Sequence, residues 1–81
     1  MKIVRLQPDQ RRAWILSEAV LMANTRGLIR TTLTAVADHN KFALSTVRYY
    51  FNRNADLWRA IVVHPSAHAA VREEGKKIGL Q

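Results

Sequence analysis

A chain of 81 residues holds one small domain, and three or four packed helices are the limit of the core it can bury. About half of the residues are apolar, which excludes a disordered tail; the absence of cysteine excludes a disulfide scaffold and any thiolate-held zinc or iron–sulfur site. Thirteen Lys and Arg against six Asp and Glu leave a net charge of +7, which suits a polyanion partner: DNA, RNA or an anionic membrane surface.

Residues 1 to 7 read as a loose leader without the apolar stretch of a secretion signal. No apolar run approaches the roughly 18 residues that a membrane span needs, so a cytoplasmic location is expected and no membrane partner. Pro8 and Asp9 have the chemistry of a helix start, proline near the first position and a carboxylate in the first turn. From Arg11 to about Thr25, Ile15, Ala19, Met22 and Ala23 recur at helical spacing on one face, and Gly27 is placed to stop the helix. Thr31 or Thr32 can cap a second, short helix in which Leu33, Val36 and Ala37 share a face; Asn40 is expected to end it in a left-handed turn. After only about three residues a third helix is expected from Leu44 to Phe51, with Val47, Tyr50 and Phe51 on one side. A strand over "VRYYF" has fair propensity but no partner strand to pair with. Asn54 is a plausible cap for a fourth helix with Leu57, Trp58 and Ile61 on its apolar face, and Pro65 ends it. One more short helix fits Ser66 to about Glu74; Gly75, the Lys76–Lys77 pair and Gly79 suggest a fraying basic tail.

The fold class that results is all-α: a three- to four-helix bundle over residues 1–64, with residues 65–81 as a tail and a short fifth helix within it. Its expected core is Ile15, Ala19, Met22, Val36, Ala37, Phe42, Val47, Phe51, Leu57 and Ile61. Two short helices joined by the tight turn "HNKF", the second rich in polar and aromatic side chains, make a helix-turn-helix pattern. No Ser/His/Asp arrangement, phosphate-cradling loop or buried carboxylate pair is present, so an enzyme is not expected. His64 and His68 have the spacing of a helical metal pair, but Pro65 lies between them and no carboxylate completes a site, so neither a metal nor a cofactor is expected.

Residues 11 to 62 resemble the DNA-binding domain of tetracycline-repressor (TetR) family regulators, carried by "ILSEAV", "RG" and "TTLTAVADHNKFALSTVRYYFNRNADLW". The family's pattern has glycine where this chain has Lys41, a capping serine at Ala43, tyrosine at Arg48, a phosphate-binding lysine at Asn54 and phenylalanine at Ala23. The resemblance implies that the third helix is the recognition helix, its end anchored by Val47 and Phe51. Arg48 and Tyr49 then face the major groove, Arg48 as the base reader, with Tyr50 partly beside them and Leu44, Ser45 and Thr46 one turn earlier. Thr32 suits a phosphate oxygen at a helix start, and Arg11, Arg12, Lys41 and Arg53 suit the phosphate backbone. The function implied is a small bacterial or phage transcription regulator that binds double-stranded DNA, without a small-molecule effector. The family's long helical dimerisation domain has no counterpart after the fourth helix here, so a monomer or a weak homodimer through residues 58 to 81 is expected, although one helix-turn-helix reads few base pairs and useful specificity needs two copies. The alternative is a protein-binding module on the same scaffold that docks on a host regulator or RNA polymerase, motivated by these departures and by Leu44 and Trp58 as candidate exposed apolar residues.

Overall fold

The computed structural model describes residues 7 to 80, and these form five helices without a strand among them. They are α1 (Pro8–Arg26), α2 (Leu33–Asn40), α3 (Leu44–Tyr50), α4 (Asn54–Val62) and α5 (Ala69–Lys77). The leader expected at residues 1 to 7 lies, apart from Gln7, outside the described residues.

α1 begins at Pro8, where the missing N–H costs nothing, and the Gln7 amide donates to Gln10 Oε1 at 2.9 Å. It ends where Gly27 takes φ +98°, a conformation that side-chain-bearing residues rarely adopt. α2 starts at Thr32, whose hydroxyl accepts from the Ala35 amide at 3.1 Å. Thr31 serves differently: it is fully buried and its hydroxyl donates to Gly27 O at 2.8 Å.

The end of α2 falls one residue later than expected. Asn40 stays helical and its side chain donates to Val36 O, while Lys41 takes the left-handed conformation at φ 57°. Phe42 N–H then donates to Ala37 O at 2.9 Å, which closes the turn. Three residues therefore separate α2 from α3.

α2 packs on α3 and α1, while α4 packs on α1 and α5. The shared core contains nine of the ten expected residues. Phe42 is the exception: it is half-buried, its ring edge-on to Trp14 at 5.2 Å. The core also takes in Val20, Leu28, Leu33, Ala67 and Val71. α1 touches α2, α4 and α5 and so buries a wider arc than its clearest apolar stripe.

The C-terminal segment is folded into the body rather than frayed. Helix α5 runs through Gly75 to Lys77 and buries Val71 and Gly75. A Cβ on Gly75 would lie 2.7 Å from Val62 Cγ1, so the absent side chain lets α5 approach α4 closely. Glu74 accepts from the amides of Leu28 at 2.7 Å and Ile29 at 3.1 Å. Asn24 bridges the same segment, donating to Ser66 O and accepting from His68 N–H. Within the segment expected to form a dimer, Ala67 and Val71 are buried in the chain's own core, while Ile78 stays exposed.

Candidate nucleic-acid interface

The α2–turn–α3 unit is held from beneath. Val36, Ala37 and Val47 are buried, and Phe51 directly after α3 is 1% exposed with the Arg12 guanidinium 4.7 Å above its ring. Arg12 is therefore occupied by a cation–π contact. No side chain caps the start of α3 at Ala43, so this seven-residue helix depends on packing for its position.

α3 presents its other side outward. Successive residues turn by about 100°, which puts Ser45 and Tyr49 together on a ridge. Both are exposed, Tyr49 to 80%, and the Tyr49 ring meets Tyr50 edge-on at 4.9 Å. Two shallow hollows flank the ridge. One, of about 400 Å³, is lined by Ser45, Thr46, Tyr49 and Tyr50 from α3 and by Pro8 and Arg11 from the start of α1. The other, of about 390 Å³, is lined by Leu33 and Thr34 from α2, Arg48 from α3, and Asn52, Arg53 and Asn54 from the α3–α4 junction. Neither hollow has a carboxylate in its lining.

The second hollow brings Arg48 and Arg53 together, although one was expected on the groove face and the other beyond the helix end. Arg53 Nε lies 3.6 Å from Asp56, whereas Arg48, Arg11 and Lys41 have no ion pair among the described residues. Asn54 does not cap α4. Arg53 holds that place, its amide donating to Asp56 Oδ2 at 3.2 Å. The Asn54 side chain instead reaches α2, its Oδ1 accepting from the Leu33 amide at 2.9 Å. The first residue of α4 thereby ties the α3–α4 junction to the start of α2 and fixes the walls of this hollow.

Thr32, with its hydroxyl committed to Ala35, is a cap first. Lys41 stands exposed at the turn, and Ala43 is exposed beside it. Leu44 and Trp58, the two candidates for exposed apolar contacts, are half-buried against the core. Trp58 Nε1–H donates to Thr31 O at 2.8 Å, which locks the indole. Trp14, not Trp58, is the exposed tryptophan, at 50%, in a hollow of about 220 Å³ with Arg11, Ile15, Phe42, Ala43 and Thr46.

Sequence reasoning missed Thr34, Asn52, Pro8 and Trp14. Thr34 and Asn52 carry no local signal, because only the packing of α2 against the α3–α4 junction brings them to Arg48. Trp14 falls off the main apolar stripe of α1, a signal that could have marked it as exposed. His64, one half of the histidine pair, is used in a turn, its Nδ1 accepting from the Ser66 amide at 3.1 Å. No helix among the described residues is long and apolar enough to cross a membrane. No family model, curated protein or solved structure matches the chain.

Proposed function

We propose that this protein is a small DNA-binding transcription regulator that lays α3 in the major groove of double-stranded DNA and reads sequence there. The observation that carries this reading is the exposed ridge of α3, flanked by two hollows that hold Arg11 on one side and Arg48 with Arg53 on the other, with no carboxylate in either. A convex helix with a polar tip fits a groove, and cations on both flanks fit the two phosphate backbones that border it. On the ridge, Ser45 can exchange hydrogen bonds with base edges and Tyr49 can pack on a thymine methyl while its hydroxyl meets a phosphate. Thr46 and the partly covered Tyr50 line the flank beside them, and Lys41 at the turn adds one more cation without an ion pair among the described residues. The resemblance of residues 11 to 62 to tetracycline-repressor regulators supports the same assignment, as does the net charge of +7. Such a regulator works in the cytoplasm, at the nucleoid.

The test is selection from random duplexes followed by titration of the enriched site at several salt concentrations. Binding should favour one sequence and weaken steeply with salt. A protein that enriches no sequence and shows no duplex affinity at low salt would remove this reading.

A second reading, a protein-binding module that docks on a host regulator or polymerase, is favoured by one observation. Trp14 is half exposed beside Phe42, in an apolar hollow bordering the start of α3. A partner seated there would survive nuclease treatment in a pull-down and would be lost with Trp14→Ala, whereas DNA-bridged partners would not survive the nuclease.

A further inference from the structure

We propose that the hollow between the start of α2 and the α3–α4 junction seats one backbone phosphate of the duplex, gripped jointly by Arg48 and Arg53. This rests on the DNA-binding reading above, and within it moves Arg48 from base readout to backbone anchoring.

The donors point to an anion. Thr34 offers a hydroxyl, Arg48 and Arg53 a guanidinium each, and Asn52 a carboxamide. The orientation of Asn54 is settled by its partner: the Leu33 N–H is a donor, so the oxygen of Asn54 faces it and the NH₂ group is left as a donor. The Leu33 amide is consumed by that contact, so the side chains, not the helix start, supply the binding. Asp56 reaches Arg53 from the α4 side, 3.6 Å from Nε, and the other guanidinium nitrogens have no partner among the described residues. Arg48 has no carboxylate partner among the described residues. Two guanidinium groups in one hollow repel each other, and an anion shared between them turns that repulsion into attraction.

The ligand is a phosphodiester rather than a base edge because of where Arg48 stands on its helix. It is about 60° around α3 from Ser45 and about 100° from Tyr49, on the flank of the ridge rather than its crest. Bases lie at the floor of the groove, in front of the crest; phosphates line the walls, in front of the flanks.

The experiment uses the whole chain, the enriched duplex and an unrelated duplex. Arg48→Ala and Arg53→Ala should each weaken both duplexes by the same factor, on the order of tenfold. Neither should change the preferred base at any position. Because two arginines share one phosphate, the double substitution should lower the salt slope by about one unit, not two. Replacing a single phosphate by methylphosphonate should reproduce the double variant's loss and leave nothing further for it to remove. Both side chains are exposed, and Arg48→Lys and Arg53→Lys, which keep the charge without the fork, should retain most of the slope. A relaxed base choice with Arg48→Ala, a slope lowered by two units in the double variant, or no phosphate whose loss matches it would overturn the shared seat and leave DNA binding intact. A wild-type chain that binds duplexes without choosing a sequence keeps the seat and removes the sequence-specific reading. A wild-type chain that binds no duplex removes both.

Discussion

Glu74→Ala tests whether the segment after Pro65 belongs to the fold. In the native chain the Glu74 carboxylate holds two backbone amides 46 and 45 residues away, Leu28 at 2.7 Å and Ile29 at 3.1 Å. These amides follow Gly27, where the chain leaves α1 and turns toward the cap of α2. The Leu28 bond is partly shielded from water, and a charge-assisted bond of that kind contributes about 1.5 to 2 kcal/mol; the Ile29 bond is exposed and contributes about 0.5 to 1. Alanine loses both and leaves the Leu28 amide short of an acceptor, a total near 2.5 kcal/mol. For a domain of this size each kcal/mol moves the midpoint by about 4 to 8 °C, so the variant should melt roughly 10 to 20 °C lower. Glu74→Gln keeps one carbonyl oxygen for one amide but turns an NH₂ toward the other, and should fall between. Circular dichroism at 222 nm reads both melts. A Glu74→Ala midpoint within two or three degrees of wild type would refute the clamp and return residues 65 to 80 to the status of a tail.

Asn54→Ala should lower stability by about 1 kcal/mol through loss of its Leu33 contact, as Thr32→Ala should through loss of the α2 cap, each measured by urea unfolding. Lys41→Gly should raise stability by about 0.5 to 1 kcal/mol, since glycine relieves the left-handed strain at φ 57°, while weakening duplex binding by the loss of a cation. Val47→Asp should abolish cooperative folding, because a carboxylate at a site with no exposure costs several kcal/mol against a total stability of about 5 to 15. A wild-type melt for that variant would displace Val47 from the core.

The helices were legible because they are local: Pro8, Gly27 and Thr32 mark ends through their own backbone chemistry, and Ile15, Ala19 and Met22 mark a face through spacing. What could not be read was which element covers which. Val20 and Leu28 are buried in a core that α5 helps to complete, and the sequence there shows glycines and lysines that look like a tail. Asn54 has the right chemistry for a helix cap and is used as one, but the amide it satisfies belongs to α2 rather than its own helix. Asn40 is the better left-handed residue by intrinsic preference, yet Lys41 takes the turn. The Phe42 N–H to Ala37 O bond that closes this turn forms with Lys41, not Asn40, in that conformation. The interface was legible in its residue types and not in its grouping. Arg48 and Arg53 share a hollow because Asn54 draws the junction onto α2, a contact across 21 residues that no local pattern announces.

The division of labour within the chain follows from these contacts. α1, α4 and α5 make the longer-range contacts: Glu74 to Leu28 and Ile29, Asn24 to the His68 amide, and Gly75 against Val62. α3 has seven residues and no side-chain cap, so it cannot be stable as an isolated helix. It is held by Val47 and Phe51 pointing inward and by the turn at Lys41, which leaves Ser45 exposed and Tyr49 exposed with an edge-on contact to Tyr50. A short helix anchored from beneath and unencumbered on its outer side tolerates changes on that side at little cost to the fold. Substitutions at Ser45 or Tyr49 should therefore alter what the protein binds and leave its melting temperature within a few degrees, whereas substitutions at Asn54 move both, because Asn54 serves the scaffold and the arginine hollow together.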